Sequence, residues 1–477
     1  MQPSHLGLRS PQEGGTTTAK RAVLVGSGLL LPTSAIAATA DAAPAAAWGM
    51  PFLGVLLSIA LIPMLAPRFW HRRMGTVALA WSLALLVPMA ILSSPAVAAG
   101  AVWHALMAEY LPFVTLLLAL YTAAGGILVR GAGAGSPAGN VGLLAFGTVQ
   151  AGVMGTTGAA MVLIHPLLAS NAHRTRKTHL VVFFIALVAN AGGATSPLGD
   201  PPLYIGFLNG VPFSWPVTHL AMPLAVMAVP ILIAFYVLDR RFAAADPPPA
   251  ERERFHLRGT ANIALIGVVI ATVLMSGIWR PGEVVLLGQH LEIARLAGDA
   301  VFVGVTLASI AITPRAVRQA NMFTWHPMQE VATLFAAIFI TIGPVLAMLQ
   351  AGFAGPLAPL LRLTVDADGQ PVPLAYFWLT GLLSAFLDNA PTYLVFFGLA
   401  GGDPVQLTGP LNHILIATSA GAVFFGALTY IGNAPNLMLR AIASHRGVRM
   451  PSFFGYMALS CTLLLPAFVL LSLVFFR

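Results

Sequence analysis

Apolar residues run in blocks of roughly 20 along almost the whole chain, the length a helix needs to cross a bilayer's hydrocarbon core. Eight such blocks fall near 49–66, 75–92, 106–128, 218–238, 260–278, 298–313, 330–350 and 453–475. Four further apolar segments are interrupted. Residues 141–170 and 374–400 break at their middles, in Met154-Gly155-Thr156-Thr157-Gly158 and in Leu387-Asp388-Asn389-Ala390-Pro391-Thr392. Residues 180–209 and 412–440 break at the NAGGATSPLGDPP run (190–202) and at the GALTYIGNAPN run (426–436). This pattern predicts an all-α polytopic membrane protein with about ten transmembrane spans, two of them broken helices, and two re-entrant hairpins.

Charge separates a hairpin from a crossing. Of the 477 residues 58% are hydrophobic and only 8% charged, against roughly a quarter charged in soluble domains. The formal charge of +8 therefore reads as Lys and Arg gathered in cytoplasmic loops, not as a nucleic-acid surface. Threading from an external start puts Arg68, Arg72, Arg73, Arg130, Arg174, Arg176 and Lys177 inside. It also puts inside Arg240, Arg241, Arg252, Arg254, Arg258, Arg315, Arg318, Arg440, Arg446 and Arg449. Arg280, Arg295, Arg362 and Arg477 fall outside. The bias holds only if 141–170 and 374–400 each enter and leave on one side, because a full crossing would invert every later loop.

The order of elements then repeats: three spans, a hairpin, a broken span and a span, in residues 49–238 and again in 260–477. The odd number of crossings between the hairpins opens the first to the cytoplasm and the second to the outside. This predicts an inverted-topology repeat, an architecture common among secondary transporters. Residues 239–259, with Pro247-Pro248-Pro249 and several charges, read as a solvated cytoplasmic linker. Residues 1–48 resemble a secretory signal: Lys20 and Arg21 precede the apolar stretch Ala22 to Leu31 and small residues around Ala35-Ile36-Ala37. An uncleaved extra span is the alternative.

The breaks carry the chemistry, because irregular backbone at membrane depth is tolerated only where it is buried in protein or lines a cavity. In the first broken span Gly192-Gly193 ends one half-helix, and Asp200-Pro201-Pro202 reads as the N-cap and opening turn of the next. Asn190, Thr195 and Ser196 and the carbonyls between offer hard oxygen ligands suited to an alkali cation. Thr429, Asn433 and Asn436 hold the corresponding place in the second. Thr156 and Thr157 lie at the first hairpin tip, and Asp388, Asn389 and Thr392 at the second. Half-helix N-termini carry positive partial charge, so an anion could be held beside the cation.

Asp200 and Asp388 stand out, one at a break in each half, and an ionisable residue at this depth is by default a candidate for ion or proton handling. Competition of Na⁺ and H⁺ for these carboxylates would couple the two ions. The plainer roles are a helix cap for Asp200 and a turn brace for Asp388. His165 reads as a structural, hydrogen-bonded residue, Glu109 and Glu330 as near-surface acids, and Trp70, Trp325 and Tyr110 as interface anchors. The single cysteine, Cys461, excludes an intrachain disulfide and a cysteine-based metal site.

At these residues the chain resembles the ion transporter superfamily that includes NhaD-type sodium/proton antiporters, CitM-like citrate transporters, arsenite pumps and divalent-anion/sodium symporters. The run from Asn190 to Asp200 is most similar to the NhaD-type motif, with its NAGG and SP-x-GD elements. The runs from Gly432 to Asn436 and from Asp388 to Thr392 resemble a subgroup described as citrate transporters or sodium:proton antiporters. The resemblance implies two scaffold and two transport regions, a homodimer, elevator-like movement, and ion sites where each hairpin tip meets its own half's broken helix. One departure is plain: dicarboxylate members carry paired Ser-Asn-Thr tips, whereas these tips read Gly-Thr-Thr and Asp-Asn-Ala-Pro.

The leading expectation is thus a secondary active transporter in a bacterial inner membrane, exchanging Na⁺ or Li⁺ for H⁺ with Asp200 and Asp388 as shared carboxylates. The alternative is cation-coupled transport of citrate or a related anion, with arsenite export behind it. Expected partners are membrane lipid and small ions or a small anion, with no nucleic acid and no cofactor beyond Na⁺ and H⁺. An enzyme is not expected: there is no HExxH, nor a Ser/His pair on two uninterrupted helices.

Overall fold

The computed structural model describes residues 45–131, 135–246 and 255–477; the signal-like reading of residues up to 44 and the Pro247–Pro249 run lie outside them. The long helices are α1 (Ala46–Leu65), α2 (Pro67–Leu92) and α3 (Pro95–Ala124, with a π-helical turn over Ala105–Tyr110). A first hairpin follows, α4 (Pro137–Met154) and α5 (Thr156–Ser170), then the interrupted pair α6 (Thr178–Leu187) and α7 (Pro201–Leu208), then α8 (Trp215–Ala243). The order repeats as α9 (Ala261–Ile278), α10 (Ile293–Ile312), α11 (His326–Gln350), a hairpin α12 (Pro373–Leu387) and α13 (Asn389–Leu399), an interrupted pair α14 (Asn412–Phe425) and α15 (Ala434–His445), and α16 (Phe453–Phe475). Two short ribbons complete the fold: β1 (Leu128–Arg130) pairs with β2 (His256–Arg258), and β3 (Glu283–Leu286) with β4 (Gln289–Glu292).

Helix α8 shows which way each hairpin opens. At about 1.5 Å per residue, Trp215 and Asp239 lie about 36 Å apart along it. Asp239 accepts from Asn140 and Arg174, at the start and just past the end of the first hairpin. Trp215 donates to Asn412, just past the second hairpin. The two hairpins therefore enter from opposite ends of the bundle, one beside β1–β2 and the other on the side of β3–β4.

Helices α1, α2, α3, α9, α10 and α11 pack mainly on one another, and the hairpins, interrupted helices, α8 and α16 form a second group. On α2, Leu79, Leu83, Val87 and Ile91 form an exposed apolar stripe at helical spacing. Helix α6 is apolar all round and buried from His179 to Leu187, as a helix enclosed by protein must be.

Two sequence readings are corrected here. Helix α8 continues to Ala243, and Asp239, taken as the start of a solvated linker, is fully buried against Arg174, His179 and Asn140. An apolar periodicity cannot announce that a charged residue has found an opposite charge inside. Trp70 is not an interface anchor: it is buried, and its indole donates to Glu330 on α11 (3.1 Å).

Candidate functional site

Both hairpins turn on one residue in the same unusual conformation: Gly155 (φ 82°, ψ 150°) and Asp388 (φ 76°, ψ 148°). This region is essentially reserved for glycine. The half-helices that face the tips begin alike, with Asp200 (φ −147°, ψ 142°) before α7 and Asn433 (φ −156°, ψ 139°) before α15. Ser196 donates to the Gly152 carbonyl and Thr429 to the Ala385 carbonyl, bracing each loop against its hairpin. The same length of chain separates the two members of every one of these pairs. Gly193 and Gly199 approach so closely that a Cβ on Gly199 would sit 2.2 Å from the Gly193 carbonyl oxygen; Gly426 and Gly432 repeat the contact at 2.8 Å.

On this shared frame the side chains differ. Asp200 is buried, and its side chain does not cap its own helix. The reason is local: Pro201 and Pro202 supply no N–H, and the Leu203 N–H goes to the Asp200 carbonyl (3.1 Å). Its Oδ1 accepts instead from the Thr156 hydroxyl (3.1 Å) and the Asn433 amide (3.3 Å), and its Oδ2 from the Asn389 amide. Three donors from both hairpin tips and the other half's broken helix thus meet on one carboxylate. Asn190 ties this network across the molecule, donating to Asn436 (2.9 Å) and accepting from Asn433 (3.2 Å); Asn436 in turn donates to the carbonyls of Gly426 and Thr429.

A cavity of about 840 Å³, counting its open mouth, separates this network from the α3 and α11 walls. Thr156, Thr157, Asp200, Asp388 and Asn433 line its polar side, and no basic residue is among its lining residues. Leu120, Tyr121, Met328 and Phe335 form the opposite wall. Tyr121 donates to Thr324, in the turn before α11, so the cavity lies toward the β1–β2 end.

The predicted site residues therefore divide. Thr156, Thr157, Asp200, Asp388 and Asn433 face the cavity, and Asn389, Asn190 and Asn436 stand behind them as the network's supports. Ser196 and Thr429 are committed to their braces, and Thr392 donates to the Asp388 carbonyl (2.8 Å). Thr195 packs away from the cavity, against Gly152. Asp388 caps α13 through the Asn389 N–H (2.7 Å), and it is no symmetry mate of Asp200, whose counterpart is Asn433. Side chains of both halves join in one hydrogen-bond network around Asp200. His165 meets the Asn321 carbonyl (3.1 Å), a structural role. The apolar wall from α3 and α11 carries no polar signal that would have marked it in the sequence.

Paired hairpins and interrupted helices meeting on a buried carboxylate, within a bundle whose outer faces are apolar, define a multi-pass membrane transporter. The chain belongs to the family described as "putative citrate transport", whose model matches residues 41–476. That family lies in the ion transporter superfamily expected from the motifs, and the match does not single out sodium:proton antiporters within it. No curated protein matches the chain.

Proposed function

We propose that the protein carries citrate or a related small carboxylate across the membrane, coupled to a cation, by movement of the hairpin group against the α1–α3 and α9–α11 scaffold. The observation that carries the cation is Asp200, a buried carboxylate joined to both hairpin tips at the wall of the cavity. Its three donors satisfy it when unloaded, so the bundle holds together without cargo. A cation at Asp200 together with a second cation or a proton at Asp388 cancels both negative charges, so that an anion can sit beside them. Thr157 and the first turn of α5 supply donors for such an anion. The family description supports citrate as the cargo. By the charge bias of its loops, the β1–β2 end is cytoplasmic and this cavity opens inward.

A second reading, exchange of Na⁺ for H⁺, is favoured by one specific observation: the ionisable side chains of opposite sign are missing from the cavity lining, while Asp200 and Asp388 are both there. Liposomes holding the purified protein and a pH-sensitive dye separate the two. Labelled citrate uptake driven by a Na⁺ or H⁺ gradient, and lost in Asp200→Asn, supports the proposal. Proton movement on adding Na⁺ without citrate uptake transfers the assignment to exchange. Neither flux, in protein that is correctly folded, sinks both.

A further inference from the structure

The half-helix α7 has Asp200 at one end and the Leu208 carbonyl at the other. The guanidinium of Arg295, on scaffold helix α10, donates to that carbonyl (2.8 Å). Among the described residues, Arg295 is the one charged side chain that hydrogen-bonds from the scaffold to the hairpin group. A cation at a helix C-terminus is favourably placed against the helix dipole. The contact lies at the β3–β4 end, opposite the mouth of the main cavity. There a smaller pocket of about 380 Å³, counting its open mouth, is lined by His104, Glu109 and Arg295 of the scaffold and by Leu208, Asn209 and Leu394 of the hairpin group. About one turn back along α7, the Tyr204 hydroxyl reaches the Pro112 carbonyl of α3 (3.3 Å). So α7 is clasped at its Leu208 end and faces open space at its Asp200 end.

We propose that Arg295 is a positioning residue and latch: it grips the C-terminus of α7 and holds the Asp200 network in the state open toward the β1–β2 end. The inference rests on the elevator reading above, since a latch between groups that do not move past one another would have nothing to control. Sliding α7 toward the β3–β4 end breaks the Arg295–Leu208 bond. The guanidinium does not go unpartnered when it does, because Glu292 already holds its Nε (3.1 Å). The latch can therefore open without stranding a bare charge. Removing it should favour the opposite state by about tenfold, the usual effect of a charge-assisted hydrogen bond.

The test uses full-length protein in oriented vesicles, with Cys461→Ser and one reporter, Met438→Cys in the main cavity or Asn209→Cys in the small pocket. The readout is the rate of modification by a membrane-impermeant maleimide. Arg295→Ala should speed labelling at 209 by up to about tenfold, the minor state's gain, and slow it at 438 by a smaller factor; Arg295→Lys should shift both in the same direction but less. Glu292→Gln should leave both near wild type. Unchanged rates in Arg295→Ala overturn the latch, and so does an equal shift in Glu292→Gln, which would assign the effect to the surface ion pair. If the alanine variant does not reach the membrane, the lysine variant decides by the same criteria. Labelling needs no cargo, so a shift in rates without citrate uptake keeps the latch and removes the cargo assignment. Uptake with unshifted rates does the reverse.

Discussion

The two halves of the molecule share a backbone and divide the chemistry. In the first, the hairpin tip is Gly155 and the half-helix opens on an acid, Asp200; in the second, the tip is an acid, Asp388, and the half-helix opens on an amide, Asn433. A duplicated frame thus carries one buried carboxylate at its centre and a second at the rim of the same cavity. The difference teaches that the repeat supplies geometry twice and charge once per position. Two buried carboxylates facing each other across the pseudo-symmetric centre would repel at close range, whereas Asp200 with Asn433 makes a hydrogen bond.

Breaking that asymmetry should have the largest effect. Asp200→Asn keeps the volume but removes the charge, and turns one of three accepted hydrogen bonds into a donor facing a donor. Cation-coupled transport should disappear, and stability should fall by about 1–3 kcal/mol for the buried group left unpaired. Asn433→Asp moves the other way, placing a second carboxylate against the first. That variant should fold only with a cation or a proton between the two, so its thermal midpoint in detergent should rise with Na⁺ or acid far more than the wild type's. A Na⁺-independent and pH-independent midpoint would show that position 433 does not share the Asp200 site.

The hairpin tips give an effect of intermediate size and opposite sign in the two halves. Gly155→Ala forces a side chain into a conformation that costs about 1–3 kcal/mol. Sterics add little, because the nearest atom to the new Cβ would be the Leu198 oxygen at 3.4 Å. Asp388→Gly relieves strain of that same kind and loses a cap, where glycine in place of aspartate costs only about a few tenths of a kcal/mol. Asp388→Gly should therefore be more stable than wild type in thermal unfolding while transporting poorly. A variant that is both destabilised and inactive would mean that the carboxylate is a structural brace and not a functional group.

Much of this was legible in the sequence because the membrane leaves few choices. Spans, hairpins and breaks follow from segment length and from where the apolar runs are cut. Even the repeat's register is written in the two broken segments, where Gly193, Ser196, Gly199 and Asp200 recur as Gly426, Thr429, Gly432 and Asn433. What the sequence could not show was pairing in space. Nothing in the hydropathy of α8 reveals that Asp239 meets Arg174, and no spacing reveals that Asn389 donates to Asp200 from the other half. The same holds for the hydroxyls: no spacing reveals that Ser196 and Thr429 each donate to a carbonyl of the adjacent hairpin.

Those two hydroxyls make the smallest and most symmetric prediction. Ser196 and Thr429 make the same bond to the same position of their respective hairpins, and each also accepts from the N–H two residues on, Leu198 (3.1 Å) and Ile431 (3.2 Å). If the frame is duplicated and only the charge is not, Ser196→Ala and Thr429→Val should each cost about 1 kcal/mol, by similar amounts, in thermal unfolding. Neither should change which cation drives uptake, because neither hydroxyl lines the cavity. A cation preference altered in one variant and not the other would place that hydroxyl in the coordination sphere. The division between a symmetric frame and an asymmetric site would then have to be redrawn at the loop and not at the tip.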